Sequence, residues 1–224
     1  MSTDALRVIL EIGKSGRRIV AGAMDWPGLE RWGKTEDDAL DILQRYRPRY
    51  AAVAERAGLG DEFAAASRVE VVERVPGSSS TDFWGVAHVP SQIEQEVLSA
   101  ADLERRLDLL QACWAYFDEV AGRVSEDLRL GPRGGGRSRT EIIDHVFGSE
   151  RHNWSPKVEV RTPPGVMLTP DGLAAHRRQY LEAIRAYNAE GRKARRWPIQ
   201  FLIRRTAQHA MDHAWEMEDR DLSA

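Results

Sequence analysis

The chain has 224 residues and a single cysteine, Cys113, so no internal disulfide can organise the fold. It contains no apolar run approaching the ~18 residues that a membrane helix needs. Its first residues, Met1 to Arg7, lack the basic and apolar stretches of a secretory signal. Net positive charge is missing too. The 32 Lys and Arg against 35 Asp and Glu leave −3, which gives no general drive toward nucleic acid or an anionic membrane. These absences predict a soluble cytoplasmic protein. Basic residues do cluster at Arg129 to Arg139 and at Arg192 to Arg196, in stretches that contain glycine. Solvated connectors account for them, with an anion-binding rim around a cleft as the alternative.

The 42% of hydrophobic residues can build an ordinary core, and their pattern changes along the chain. Leu6 to Ile12 reads as a strand, Gly13-Lys-Ser-Gly16 as a turn, and Arg18 to Met24 as an antiparallel return. Pro27-Gly28 then breaks the chain. Thr35, with Asp38 at the third helical position, caps a helix on which Leu40, Leu43, Tyr46 and Tyr50 recur. Pro48 is expected to kink or divide that helix. Val69 to Val75 alternates as another strand before the linker-like Pro76-Gly-Ser-Ser-Ser80. The predicted fold class is therefore α+β. A small ββαβ domain occupies residues 1–76, a linker or extended segment 77–98, and a four-helix bundle 99–224. Thr81 to Val89 reads as one further strand or as a connector.

In the helical part, Ser99 opens a helix to about Val124 that buries Leu103, Leu107, Leu110, Trp114 and Phe117. Cys113 lies inside it as a small core residue. A second helix starts near Arg139, and the Pro-rich stretch Ser155 to Pro170 reads as a long irregular crossover. Thr169-Pro170 opens the third helix, with Leu173, Tyr180, Leu181, Ile184 and Tyr187 as its buried stripe. His176 lies beside Arg177 and Arg178 and reads as solvated; His88 reads as a surface or packing residue. Trp197-Pro198 opens the fourth helix.

That fourth helix carries Thr206-Ala-Gln-His209-Ala-Met-Asp-His213-Ala-Trp-Glu216. Four residues advance an α-helix by about 400°, so His209 and His213 are offset by only ~40° and lie ~6 Å apart along the axis. Such a pair can close on one metal ion, and Glu216 falls within about 20° of His209 on the same face. Ile203, Ala207, Ala210, Ala214 and Met217 form the packing side, with Thr206, His209, His213 and Glu216 about a quarter turn away. A third imidazole is available from His145, at the edge of the stripe made by Ile142, Ile143, Val146 and Phe147. Three protein ligands and an open position describe a catalytic zinc-type site. Three unrelated surface histidines, or polar contacts between helices, are the plain alternatives.

Two resemblances extend this reading. Thr140-Glu-Ile-Ile-Asp-His145-Val-Phe-Gly-Ser-Glu150 and His209-Ala-Met-Asp-His213-Ala-Trp-Glu216 resemble the DinB/YfiT-like superfamily of four-helix proteins over about Ser99 to Asp221. That resemblance implies a metal triad of His145, His209 and His213, because the family takes one histidine from its second helix and an HxxxH pair from its last. It further implies metal-assisted activation of a low-molecular-weight thiol for attack on a small electrophile, as in the family's thiol S-transferases and isomerases. Glu216 is the candidate catalytic residue, as proton acceptor or as the group that orients a histidine, and Asp144 or Asp212 would serve in the outer shell. Three histidines suit zinc, nickel and iron alike. A metal-dependent hydrolase is one alternative. A non-catalytic module whose N-terminal domain contacts a protein is the other.

In the N-terminal part, Asp25-Trp-Pro-Gly-Leu29 followed by Gly33-Lys-Thr-Glu-Asp-Asp-Ala-Leu40 resembles the small HicB-like domains over about residues 5–76. That resemblance implies an antitoxin that masks a toxin. No basic DNA-binding segment follows, so the expected use is a sheet that packs onto the bundle or onto a second copy of the chain.

Overall fold

The computed structural model describes residues 4–131 and 135–223. It is α+β, with a four-stranded sheet near the N-terminus and, among the described residues, seven α-helices interleaved with and following it. Strands β1 (Ala5–Ile12) and β2 (Ile19–Ala23) form the expected antiparallel pair, turned at Gly16, whose φ of 71° suits glycine. A third strand, β3 (Glu30–Gly33), was not legible in the sequence and pairs antiparallel with β2. Helices α1 (Glu36–Arg56) and α2 (Gly60–Ala65) lead to β4 (Arg68–Pro76), which returns parallel to β1. The sheet order is β3-β2-β1-β4, so the predicted ββαβ order becomes βββααβ. The correction has a simple cause: four residues, Glu-Arg-Trp-Gly, are too few to show an alternation.

Thr35 caps α1 as expected, its side chain accepting from the backbone N–H of Asp38 at 3.1 Å. Pro48 does not divide the helix, contrary to expectation. It lies on the exposed side, where the omitted ladder bond faces solvent and the helix runs on. The segment read as a linker is also ordered. Ser78 makes a capping box with Thr81 and starts the short helix α3 (Ser79–Trp84), ended by Gly85 at φ 69°. Gly77 N–H donates to Ile12 O at 2.7 Å. Thr81 to Val89 is therefore neither strand nor free connector at its start; the serine cap decides for helix.

Four long helices follow: α4 (Ala100–Arg123), α5 (Arg139–Ser149), α6 (Pro170–Ala189) and α7 (Ile199–Arg220). Caps at Ser99, Ser138 and Thr169 set three of the starts. α7 packs against α4 most extensively and also against α5 and α6. It is buried almost all round its first three turns, from Ile199 to Gln208. One hydrophobic core runs through the sheet and the helices, joining Leu6, Val8, Leu43 and Tyr50 to Leu107, Phe117 and Met211. The other face of β1 is covered by Val89 and Ile93 over Ile9 and Val75. Among the described residues no helix is long and apolar enough to cross a membrane.

Polar groups fasten the sheet to α7. Arg204 donates through Nε and Nη2 to both oxygens of Glu94 (2.7 and 3.0 Å) and through Nη1 to Glu30 at 3.0 Å. All three residues are 3% exposed. Glu30 also accepts from the N–H of Ala87 at 2.9 Å, and Arg31 donates to Asp212 at 2.6 Å. Glu11, equally buried, accepts from Thr81 and from the N–H groups of His88 and Val89. Burial pushes its carboxyl above the usual range.

Candidate metal centre

α5 and α7 bring together the three histidines singled out above. On α5, Ile142 and Val146 are buried toward the bundle, which turns His145 to the rim of that helix. On α7, His209 and His213 project from the face beside Ala210 and Ala214, which are buried in the core. His145 Nε2 lies 3.2 Å from His209 Nε2, and one ligand nitrogen from each of the three residues falls within 4.8 Å of the others. The ring centroids are 4.7 to 5.1 Å apart. Among the described residues this is the one group of three metal-ligating side chains so placed.

The residues fit a divalent ion. Tetrahedral Zn–N bonds of 2.0–2.1 Å set ligand nitrogens about 3.3 Å apart, close to the separation His145 and His209 already have. His213 Nδ1 donates to Glu216 Oε2 at 2.8 Å, and Glu216 Oε1 is held by Arg220 at 2.7 Å. This bond leaves His213 Nε2 as the ligand atom and fixes the tautomer, the usual office of a carboxylate behind a ligating histidine. Burial holds His209 well below the ordinary histidine range, with the charges of His213 and His145 adding to it. His145 is lowered for the same reasons. Both imidazoles therefore keep their lone pairs at neutral pH.

Glu216 is kept below the usual carboxylate range, first by its bond to His213. Both of its oxygens are engaged, an arrangement suited to orienting His213. Asp212, expected in the outer shell, is drawn off by Arg31 of β3. Asp144 lines a separate depression with Phe147, Arg151 and Met167. Thr206 is turned away as well; its hydroxyl bonds Tyr180 and the carbonyl of Leu202.

His176 corrects its sequence reading. It is buried, with Nδ1 2.6 Å from Thr162 Oγ1 and Nε2 3.3 Å from Glu150. Its arginine neighbours gave the wrong signal because Arg177 itself folds over the ring of Trp114. His152 is exposed and His88 half-buried; neither joins the cluster.

Residues that sequence reasoning missed complete the surroundings. After α5 the chain makes a π-helical turn, Glu150–Trp154, and then a short 3-10 turn, Ser155–Val158. π-turns recur at functional sites because they re-aim side chains. Here the turn sets Trp154 against His209, with centroids 6.0 Å apart, and stacks it on Trp197 at 5.7 Å. Arg205, one turn before His209, lies 5.8 Å from the Trp154 ring. An arginine pair directly after the apolar run Phe201 to Ile203 was the one available signal. No known protein family, no curated protein and no solved structure matches the chain.

Proposed function

We propose that the chain is a metal-dependent protein of DinB/YfiT-like type, in which His145, His209 and His213 hold one divalent ion. We further propose that it activates a low-molecular-weight thiol or water for reaction with a small electrophile. The observation that carries this reading is the convergence of three imidazoles from two helices, with one of them backed by a carboxylate. A divalent ion held by neutral ligands would supply undiminished Lewis acidity at that point.

The chain's own residues do the rest. Glu216 holds His213 in one tautomer, and Arg220 holds Glu216. Trp154 walls one side of His209 and limits water there. The sheet, through Arg31 and Glu30, keeps the α7 backbone fixed behind the histidines. Elemental analysis of protein purified without a histidine tag tests the reading. One ion per wild-type chain is expected, with loss in His145→Ala, His209→Ala and His213→Ala and retention in His152→Ala. Undiminished metal in all three variants would end it. A turnover screen with and without added thiol then separates thiol from water as the activated group.

A further inference from the structure

Two arginines beside the histidine cluster carry charge that the protein leaves largely unused. Arg205 precedes His209 by one helical turn, so both side chains share a face of α7. It is only 6% exposed. Among the described residues, its guanidinium makes one hydrogen bond, Nη1 to Gln208 Oε1 at 2.7 Å. A guanidinium has five donors, and no nitrogen of Arg205 is among the fully buried atoms left without a partner, so its remaining donors are open to a ligand or water. The carboxylate it approaches, Glu30 at 3.8 Å, is already occupied by Arg204 and by the N–H of Ala87. Its guanidinium lies 5.8 Å from the ring of Trp154, whose centroid is 6.0 Å from that of His209.

Arg137 is exposed, and among the described residues it has no ion pair or hydrogen bond. It stands directly before Ser138, the cap of the helix α5 that carries His145. A third cation, Lys157, lies 4.1 Å over the ring of Trp197 on the same aromatic wall. The carboxylate in contact with the histidines, Glu216, is already paired with Arg220.

We infer that this site takes an anionic ligand, with Arg205 as the buried anchor for a carboxylate or phosphoryl oxyanion and Arg137 as a guide at the mouth. The inference deepens the metal reading and rests on it for the reacting position, one turn from the anchor. Carboxylates and phosphoryl groups accept two parallel N–H bonds from a guanidinium, which would use the donors that Arg205 leaves free.

Benzoate and its neutral isostere benzamide, titrated calorimetrically into metal-free and zinc-loaded protein, test it. Phenylphosphonate in a parallel titration distinguishes carboxylate from phosphoryl preference. Wild type should bind benzoate or phenylphosphonate in preference to benzamide. Arg205→Met should weaken anion binding by about tenfold or more, the expected loss of a charge-assisted pair, while zinc content stays unchanged. Arg137→Gln, a surface change that leaves folding intact, should weaken it by a few-fold and flatten its salt dependence. Arg205→Lys gives a conservative check should the methionine variant fold poorly, and should retain part of the affinity. Equal anion affinity in wild type, Arg205→Met and Arg205→Lys, or benzamide binding as tightly as the anions, overturns the inference. Absence of zinc from wild type would instead remove the metal reading. Anion binding to the metal-free protein that depends on Arg205 would survive that result.

Discussion

Arg204 and Arg205 are sequence neighbours on α7, both buried, and they meet opposite conditions. Arg204 spends three hydrogen bonds on Glu94 and Glu30. Arg205 makes one, to Gln208, approaches the already occupied Glu30 no closer than 3.8 Å, and lies 5.8 Å from the ring of Trp154. The helix twist of about 100° per residue separates the two directions. One points into the joint between sheet and bundle, the other along the wall of the candidate metal centre. Complete pairing marks a place where the charge fixes structure. Incomplete pairing at equal depth is what the proposed anion anchor rests on.

The comparison breaks most visibly at the joint. Glu94→Ala leaves Arg204 buried with half its partners, and removal of one member of a buried pair costs about 3–5 kcal/mol. Chemical denaturation should show that loss as a lower midpoint with an unchanged slope. A change within experimental error would mean that the joint is replaceable. At the candidate metal centre the same kind of deletion should act on affinity and spare the fold. Glu216→Gln removes the charge behind His213, and loss of such an outer partner costs about 10–100-fold in metal affinity. A competition titration against a zinc chelator reads this directly, and unaltered affinity would detach Glu216 from the site.

The smallest effect sharpens the contrast through pH. His145 and His209 titrate below the ordinary histidine value when folded, so near pH 6 the unfolded chain binds more protons than the native one. Stability of the metal-free protein should therefore fall as pH drops below about 6.5, the unfolded histidine value, and level off below the folded values. Above that value the contribution is complete. His209→Ala should make the decline shallower, measured as denaturation midpoints between pH 8 and pH 5. Equal slopes in both proteins would contradict a neutral, half-buried His209.

Local signals made much of this legible in the sequence. Thr35, Ser99 and Thr169 mark helix starts by hydrogen bonds that side chains make within three residues, and those starts hold. The HxxxH spacing is likewise local, and the geometry of α7 follows from it. What failed depended on distant partners. The serine-rich segment after Pro76 looks like a linker until Gly77 meets Ile12 and Ser78 caps α3. His176 looks solvated until Glu150 and Thr162 arrive from another segment. Glu30, Glu94 and Arg204 look like surface charges because a pattern of polar and apolar residues carries no record of pairing.

The winding of Glu150–Trp154 ties the shape of the site to chain length. A π-turn holds one residue more than the α-turn it replaces. Loss of one residue from Arg151, His152 or Asn153 would restore ordinary winding and carry Trp154 about 100° around the axis. The indole would then leave His209, while His145 lies upstream of the change and His209 and His213 stand on another helix. A single deletion there would remodel the enclosure and leave the three histidines where they are, so the wall around the cluster and the cluster itself can change separately in descendants of this chain.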